Sequence, residues 1–448
     1  MLAVSESLVT HQGLTVPPNL GRPGRDGRIY STWYPLLSFI SVPFVGVALI
    51  ASGAAHLPFH YLAPIFALLC PVLLTSATAG IVVLLTIRLG GDERKAWVAA
   101  LCFMFGTTAM VYIRSFYSEP LLGFLVAAAT YLALGETSRE ISWAAVLAVL
   151  AVLAKPTGIV LGPVLSCYLL AKRFKPQLAC LPLIGTAAGF GLYCFYNYVR
   201  FGSIASFGPK LEFSLAAIPA GIAGLILSPG WGLVWYSPVL ILSIFGFRKV
   251  WRTKPMEALT IAGVFAGFLL IDSYWSYWSG GWSWGPRLLY PAIPGLSVLA
   301  GLVEGRMRRA LVVLSLVGFL VNAPTLVSFY ERYFTEMDES GVNVNSYAWS
   351  VQKAPLLHGY QAAQHQLEDA QGADVRQIYR ERQIPGTTIA TSRAFRVVAV
   401  WWWVLPAAGL PRWAGAIVAL LLIGTGICLL IWAAPAPTRN LAIEPTVP

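Results

Sequence analysis

The sequence predicts an all-α protein, a polytopic transmembrane helix bundle with about eleven spanning helices and external juxtamembrane segments. Two observations predict this fold. Hydrophobic residues fill 57% of the 448 positions and charged residues only 11%, against about 25% charged in ordinary soluble domains. Apolar runs of about 18 to 25 residues, enough to cross a hydrocarbon core of roughly 30 Å, also recur along the chain. A surface this poor in charge is expected to face lipid.

The apolar runs define the domain organisation. The predicted spans are 62–87, 95–113, 118–135, 142–154, 157–171, 178–198, 231–247, 256–274, 288–303, 309–329 and 412–433. The predicted regions are an external first loop with an interfacial helix (1–61), the transmembrane core (62–329), an external polar loop (330–395), and an interfacial aromatic segment with a last transmembrane helix and tail (396–448).

The net charge of +11 reports membrane topology and predicts no nucleic-acid partner. Basic residues cluster in every second loop, at 88–95, 172–175, 248–254 and 306–309. The positive-inside rule places these loops in the cytoplasm, so the loops at 114–118, 155–156, 199–230 and 275–287 share the external face. We therefore expect a multi-pass integral protein of the bacterial plasma (inner) membrane. Segment 34–55 fits either a crossing or an interfacial helix.

Several function classes lack support in the sequence. The six cysteines lie in apolar runs without a CxxC pair, and the five histidines show no HExxH spacing. No GxSxG, Walker or GxGxxG motif occurs. We expect no zinc site and identify no cofactor, with a divalent metal left open.

The densest signal is an aromatic loop between two predicted spans on the external side. Its sequence is Trp275-Ser276-Tyr277-Trp278-Ser279-Gly280-Gly281-Trp282-Ser283-Trp284-Gly285-Pro286-Arg287. Tryptophans such as Trp282 and Trp284 are suited to stacking on sugar rings or lining a lipid groove, and Arg287 can grip a phosphate bidentately. Alternatively, the tryptophans mark the membrane interface and Arg287 extends to water.

Two further charged residues stand at predicted external helix ends. Glu119 precedes Pro120 in an otherwise uncharged helix, where a carboxylate needs a partner or a task, although a first-turn acid stabilised by the helix dipole fits equally. Lys155, before Pro156, faces outward against the positive-inside trend, as an anionic ligand would favour, or extends to water as many lysines do at helix ends.

A third feature is an interrupted apolar run at 227–238. It reads Leu227-Ser228-Pro229-Gly230-Trp231-Gly232-Leu233-Val234-Trp235-Tyr236-Ser237-Pro238. Broken helices at membrane depth occur where the backbone lines a cavity. A simple loop is the alternative interpretation.

The order of these features resembles the polytopic type C glycosyltransferase superfamily, which includes protein O-mannosyltransferases and lipid A aminoarabinose transferases. The matching pieces, which extend over most of the chain, are Gly27-Arg28-Ile29-Tyr30-Ser31 with Tyr34-Pro35, Ser118-Glu119-Pro120, Ala154-Lys155-Pro156-Thr157, the run from Leu227 to Pro238, and Gly280 to Arg287.

The resemblance implies transfer of a sugar from a polyprenyl-phosphate carrier to a glycan, lipid or protein acceptor at the external, periplasmic face. Glu119 matches a family acidic position, and Arg287 with Lys155 would hold the carrier phosphate. The substrate groove would be shaped by Trp282, Trp284 and Tyr236. The family's long first external loop also implies that residues 1–33 lie outside and 34–55 in the outer leaflet.

The family's first spanning helix and its catalytic Asp or Asp-Glu pair would lie upstream of Met1. The resemblance therefore implies a truncated N-terminus, caused by a misassigned start or by the chain being a remnant. Neither Glu6 nor Asp26 matches the family's motif.

Two other functions compete with glycosyl transfer. One is a transporter or flippase for lipid-linked sugars, which would more often show an inverted repeat and polar residues at mid-membrane depth. Neither feature is visible in the sequence. The other is an inactive truncated remnant.

Overall fold

The computed structural model describes residues 1–55, 59–206, 212–328, 330–339, 341, 348–372, 411, 413–414, 417 and 420–421. The chain forms two compact units, Met1–Val400 and Trp401–Pro448. Most of the predicted last span at 412–433 and of the C-terminal region 396–448 lies outside the described residues, as does 373–395 of the predicted polar loop.

The first unit is built almost wholly of helices. They are α1 Leu2–Val9, α2 Pro35–Ile40, α3 Val42–Ala55, α4 Phe59–Ala67, α5 Leu69–Arg88, α6 Glu93–Gly106, α7 Ala109–Tyr112, α8 Ser118–Ala133, α9 Ser138–Ala154, α10 Leu161–Ala171, α11 Pro176–Ala179, α12 Leu181–Phe201, α13 Ile218–Leu227, α14 Leu233–Tyr236, α15 Ser243–Thr253, α16 Pro255–Ser273, α17 Ile293–Gly301, α18 Met307–Asn322, α19 Pro324–Val327, α20 Glu331–Glu339 and α21 Pro355–Gly372.

Short elements complete the described fold. The 3-10 helices are Pro18–Leu20, Pro156–Val160, Leu215–Ala217, Pro238–Leu242 and Arg287–Ala292. The strands β1 (Arg22–Pro23) and β2 (Ile29–Tyr30) pair antiparallel, with Arg22 opposite Tyr30.

The predicted all-α architecture is confirmed for the described residues, whereas the number of spanning helices stays a prediction. Three described helical segments are long and apolar enough to cross a membrane: Leu62–Arg88, Pro176–Phe201 and Pro255–Ser273. Other predicted spans are shorter or divided. The apolar run at 288–303, for example, starts as a 3-10 helix and continues as the nine-residue α17, because prolines remove backbone donors from the run.

The exposed surface of the bundle is apolar, as a lipid-facing surface must be. On α12, Ile184 and Phe195 are 58% and 64% exposed, and on α18 Val313 and Leu316 are 57% and 58% exposed. Monomeric soluble proteins rarely expose contiguous apolar patches of this kind. Together with the spanning segments, these faces describe a multi-pass membrane protein.

Close helix packing behind this surface depends on small residues. Gly185 and Gly189 of α12 form a Gly-x-x-x-Gly pair against α9. A β-carbon at Gly185 would lie 2.3 Å from the carbonyl oxygen of Ala145, and one at Gly189 would lie 2.7 Å from that of Val149. Such pairs let helix backbones approach in membranes. The contact fixes α9, and with it the position of Lys155 at the end of α9.

One end of the bundle is tied by ion pairs between the predicted cytoplasmic loops. Lys172 Nζ lies 2.8 Å from Glu136 and 2.9 Å from Glu257. At the same kind of loop, Lys95 and Lys249 both bind Glu304, and these two ammonium groups lower the pKa of Glu304 to about 2.

The predicted external loops converge at the opposite end of the same helices. Glu257 and Asp272 stand near the two ends of α16, about 22 Å apart at 1.5 Å per residue. Helix α9 likewise begins near the Arg88–Glu140 ion pair and ends at Lys155. In the described part of the chain, the basic loops therefore lie at one end of the bundle, and Lys155 and Asp272 lie at the other.

Candidate functional site

A cavity of about 580 Å³ lies at the end of the bundle where the predicted external loops meet. Its charged lining residues are Glu119, Lys155, Asp272 and Arg287. Its aromatic lining residues are Trp33, Tyr34, Tyr117, Phe190, Phe213, Trp275 and Tyr277. The structure therefore brings together three of the six residues that the sequence singled out, and it adds Asp272.

Glu119 lies at the centre of the charged group. Extended backbone at Tyr117 starts α8, and Pro120 in its first turn needs no N–H partner, so Glu119 enters the cavity from a first turn. Its side chain is buried. Oε1 accepts a hydrogen bond from Lys155 Nζ at 3.0 Å and lies 3.5 Å from Arg287 Nε. Oε2 makes no hydrogen bond, so one carboxylate oxygen is left for a ligand.

Lys155 reaches Glu119 because α9 stops at the right residue. Pro156 disfavours helical backbone at the residue before it, and Lys155 is extended, with φ −165° and ψ 134°. The side chain of Lys155 is 10% exposed, and its ammonium group carries three donors. Within the part of the chain that the structure describes, Glu119 is the hydrogen-bond partner of this group.

Arg287 is held in place by the aromatic loop itself. Its Nη2 donates to the carbonyl oxygen of Gly280 at 2.8 Å, and its guanidinium lies 4.5 Å from the ring centre of Tyr117. Gly280 and Gly281 have φ of +74° and +72°, a conformation that side chains with a β-carbon rarely adopt. The two glycines turn the loop back so that one of its own carbonyls orients Arg287.

Asp272 is the site residue that the sequence reasoning missed. It lies in the last turn of α16, is 2% exposed and lines the cavity. Its Oδ2 makes no hydrogen bond. The available signal was an acid at the external end of a predicted span that is free of charge from 258 to 271, since intramembrane acids are costly and usually functional.

The structure does not bring Tyr236, Trp282 and Trp284 to the cavity. Tyr236 and Trp284 are buried and meet edge to face at 5.9 Å, and Trp282 stacks on Phe334 at 6.2 Å. Apolar aromatic area drives these rings into the protein interior. Within the aromatic loop, the rings of Trp282 and Trp284 pack away from the cavity, whereas Trp275 lines the cavity with its indole N–H unpaired.

The predicted helix break at 227–238 is present, and hydrogen bonds within the described protein satisfy polar groups at this break. Helix α13 ends at Leu227 and α14 starts at Leu233. Ser228 Oγ accepts from the backbone of Trp231 and donates to the carbonyl of Ala348. Irregular backbone is tolerated at membrane depth where protein buries it. The break is therefore stabilised by hydrogen bonds within the protein, and its residues do not line the charged cavity.

Asn322 joins the packed aromatic residues to α18. Its side chain accepts from Trp284 Nε1 at 2.9 Å and donates to the carbonyls of Tyr236 and Gly318. We expect Asn322→Leu to lower the free energy of unfolding by about 2 kcal/mol, because a buried indole N–H then lacks an acceptor. Unfolding in detergent micelles, followed by circular dichroism, measures this loss.

The double variant Asn322→Leu/Trp284→Phe is the control for that prediction. Because each single variant already removes the hydrogen bond, the loss in the double variant should be smaller than the summed losses of Asn322→Leu and Trp284→Phe. A single variant as stable as the wild type would contradict the proposed bond.

The N-terminal segment also reaches the cavity. The buried guanidinium of Arg200, at the end of α12, donates to the carbonyl of Ser31 and to Asn197. This anchor holds the following residues, Trp33 and Tyr34, against the cavity. The sequence suggested the segment only through the resemblance, since its residues carry no helical period.

The predicted polar region after residue 330 contributes a contact behind the cavity. Tyr117 donates to Glu331 of α20 at 3.3 Å, and burial raises the pKa of Glu331. Because Tyr117 also lies against Arg287, this part of α20 supports the cation from the far side of the ring.

The described residues contain no group of three or more His, Cys, Asp or Glu side chains placed to hold a metal ion. Two cations, two carboxylates and a wall of aromatic rings remain as the chemical features of the cavity. Buried cations of this kind suit an anionic group, and the rings suit a sugar or a hydrocarbon chain.

Fold and cavity together define a multi-pass helical membrane protein with a charged site at one end of its bundle. No protein-family model matches the sequence, and no curated protein matches it significantly. Among solved structures, the chain shows likeness at low sequence identity to ArnT and AglB.

Three such structures illustrate the likeness. ArnT from Cupriavidus metallidurans in the apo state is 16% identical, with a TM-score of 0.49 over 91% of this chain and 70% of ArnT. ArnT bound to undecaprenyl phosphate is 15% identical, with a TM-score of 0.49 over 98% and 76%. The oligosaccharyltransferase AglB from Archaeoglobus fulgidus, in complex with an inhibitory peptide and a dolichol-phosphate, is 12% identical, with a TM-score of 0.43 over 89% and 59%.

Proposed function

We propose that the protein is a glycosyltransferase of the bacterial inner membrane that moves a sugar from a polyprenyl-phosphate carrier to an acceptor at the external face. The observation that carries the proposal is the convergence of Lys155 and Arg287 on one carboxylate, Glu119, inside a cavity walled by aromatic rings. The motif order described above supports the same activity.

The two cations are suited to the phosphate of the carrier. Lys155 is a point charge with donors to spare, and Arg287 offers a planar fork that matches phosphate oxygens. Both are nearly buried, with side chains 10% and 13% exposed, so their attraction for an anion is screened less than at a surface. During transfer they would stabilise the charge that develops on the departing phosphate.

The incoming phosphate would replace Glu119 as the partner of the cations. In the described structure the carboxylate of Glu119 accepts a hydrogen bond from Lys155 and lies beside Arg287. The phosphodiester of the donor carries one negative charge, as the carboxylate does, and it offers several acceptor oxygens; its charge rises toward two when the sugar leaves. Glu119 would then turn its oxygens toward hydroxyl groups of the sugar.

The aromatic wall is suited to the rest of the donor. Trp33 and Phe213 are 41% and 47% exposed along the cavity, which leaves apolar area for an isoprenoid chain or a sugar face. The volume of about 580 Å³ falls within the usual range for small-molecule sites, about 300–1,000 Å³. It accommodates a sugar phosphate and the first carrier units, while the remaining chain would lie in the bilayer.

Binding of undecaprenyl phosphate to the purified full chain in detergent micelles tests this proposal. We expect saturable binding of undecaprenyl phosphate and none of the neutral alcohol undecaprenol. Lys155→Met should weaken binding about 10- to 100-fold, the effect of losing one hydrogen bond to a charged group.

Lys175→Met is the matched control, because Lys175 is an exposed lysine in a predicted cytoplasmic loop; its binding should equal that of the wild type. Equal affinity for undecaprenyl phosphate and undecaprenol would contradict the proposal. Movement of the intact lipid-linked sugar across vesicles without loss of the sugar would instead favour the flippase alternative.

A further inference from the structure

Asp272 has no visible structural task in the part of the chain that is described. It forms no ion pair with a described residue, and its Oδ2 makes no hydrogen bond. The end of its helix is completed by other groups, since Tyr274 N and Ser273 Oγ both donate to the carbonyl of Leu270. A carboxylate buried in this way is costly unless a ligand or a reaction uses it.

The other acid of the same helix shows the contrast. Glu257, near the opposite end of α16, pairs with Lys172 at 2.9 Å. Asp272 lines the same cavity as Lys155, yet the ammonium group of Lys155 donates to Glu119. The charges of Lys155, Glu119 and Arg287 all act on Asp272 through space. It therefore stands within the charged group as the member without a direct partner.

The two carboxylates of the cavity are thus not equivalent. Glu119 shares one oxygen with two cations, as expected of a group that positions a phosphate site. Asp272 offers an acceptor oxygen in the same cavity without such a partner. A hydroxyl group is the ligand that fits it, because O–H donates to a carboxylate in a short, strong hydrogen bond.

We propose that Asp272 binds the attacking hydroxyl of the acceptor and takes its proton during sugar transfer. This role rests on the proposed glycosyltransferase function. The hydroxyl oxygen forms the new bond to the anomeric carbon of the sugar. The bond from that carbon to the phosphate oxygen breaks, and its electron pair leaves with the carrier phosphate beside Lys155 and Arg287. The hydroxyl proton passes to the Asp272 carboxylate.

The test compares transfer with carrier binding in the same variants. Inner membranes containing the full chain are supplied with undecaprenyl phosphate carrying radiolabelled mannose, glucose or aminoarabinose, and loss of label from the lipid is followed. Asp272→Asn should reduce transfer about 10²- to 10⁴-fold, the range for loss of a general base. Its affinity for undecaprenyl phosphate should be at least that of the wild type, because the amide removes a negative charge from the cavity.

Glu257→Gln is the matched control, because it removes an acid from the same helix away from the cavity. It should transfer and bind at wild-type levels, and a loss equal to that of Asp272→Asn would overturn the proposal. Transfer by Asp272→Asn within about twofold of the wild type would overturn it as well.

If Asp272→Asn does not fold, Asp272→Glu tests the proposed role instead. The extra methylene displaces the proton-accepting oxygen, so transfer should be slow but measurable with carrier binding intact. A wild-type rate in Asp272→Glu would overturn the role. A wild-type protein that neither binds undecaprenyl phosphate nor discharges a donor refutes the proposed function itself, whereas active wild type with active Asp272→Asn refutes only this role.

Discussion

Sugar transfer by Arg287→Ala is expected to fall about 10²- to 10³-fold, the effect of removing one group that stabilises developing negative charge. Arg287 is the one of the two proposed phosphate-binding residues that has a planar fork, and the Gly280 carbonyl and the Tyr117 ring orient it. Alanine leaves Glu119 paired with Lys155, so the bundle should still insert and fold. Label transfer from the lipid-linked donor, measured beside the amount of folded protein, checks both parts.

Two variants control this prediction. Arg287→Lys keeps the charge without the bidentate geometry, and its transfer rate should lie between alanine and wild type. Arg139→Ala removes an exposed arginine at the opposite end of the bundle and should transfer normally. Near wild-type transfer by Arg287→Ala would remove Arg287 from the proposed site.

Glu119→Gln should separate carrier binding from transfer. The neutral amide removes the anion that competes with phosphate for Lys155 and Arg287, so undecaprenyl phosphate should bind at least as tightly as in the wild type. Transfer should fall about 10²-fold, because the amide accepts weaker hydrogen bonds from the sugar hydroxyls than the carboxylate does. Titration of the lipid and label transfer on one preparation distinguish the two effects.

The same variant should be less stable without ligand. Removing one partner of a buried ion pair costs about 3–5 kcal/mol, and undecaprenyl phosphate should restore part of that loss. Glu93→Gln, at an exposed first-turn position of α6, is the control and should be nearly neutral. A Glu119→Gln protein with normal transfer and stability would contradict the pairing with Lys155 and Arg287.

The helices were predictable where an apolar run ends at a strong breaker. The predicted runs 118–135 and 256–274 correspond to α8 and α16 within two residues, since Pro120 and Pro255 fix their starts. The run 231–247 was not predictable as a unit. It divides into α14, a 3-10 helix and α15, because the Ser228 side chain and Pro238 satisfy or remove backbone groups that a continuous helix would use.

The charged part of the site was predictable for an energetic reason. An ionisable group in an apolar segment needs a partner, and Glu119, Lys155 and Arg287 are partners of one another. The roles of the tryptophans were not predictable, because composition does not say which face of a loop is buried. Trp275 and Trp284 are nine residues apart in one aromatic loop, yet one lines the cavity and the other is buried away from it.

The ion pairs of Glu119 bear on the end of the catalytic cycle as well as on its start. After transfer, the carrier still has its phosphate, which is strongly attracted to Lys155 and Arg287. Slow release of this product would inhibit the enzyme. Glu119, which lies 3.0 Å from Lys155 in the described structure, is a counter-ion within the protein that can pair with the cations again without water having to solvate them. On the proposed function, the carboxylate would thus act as a release mechanism, and turnover would depend on how evenly the two anions compete.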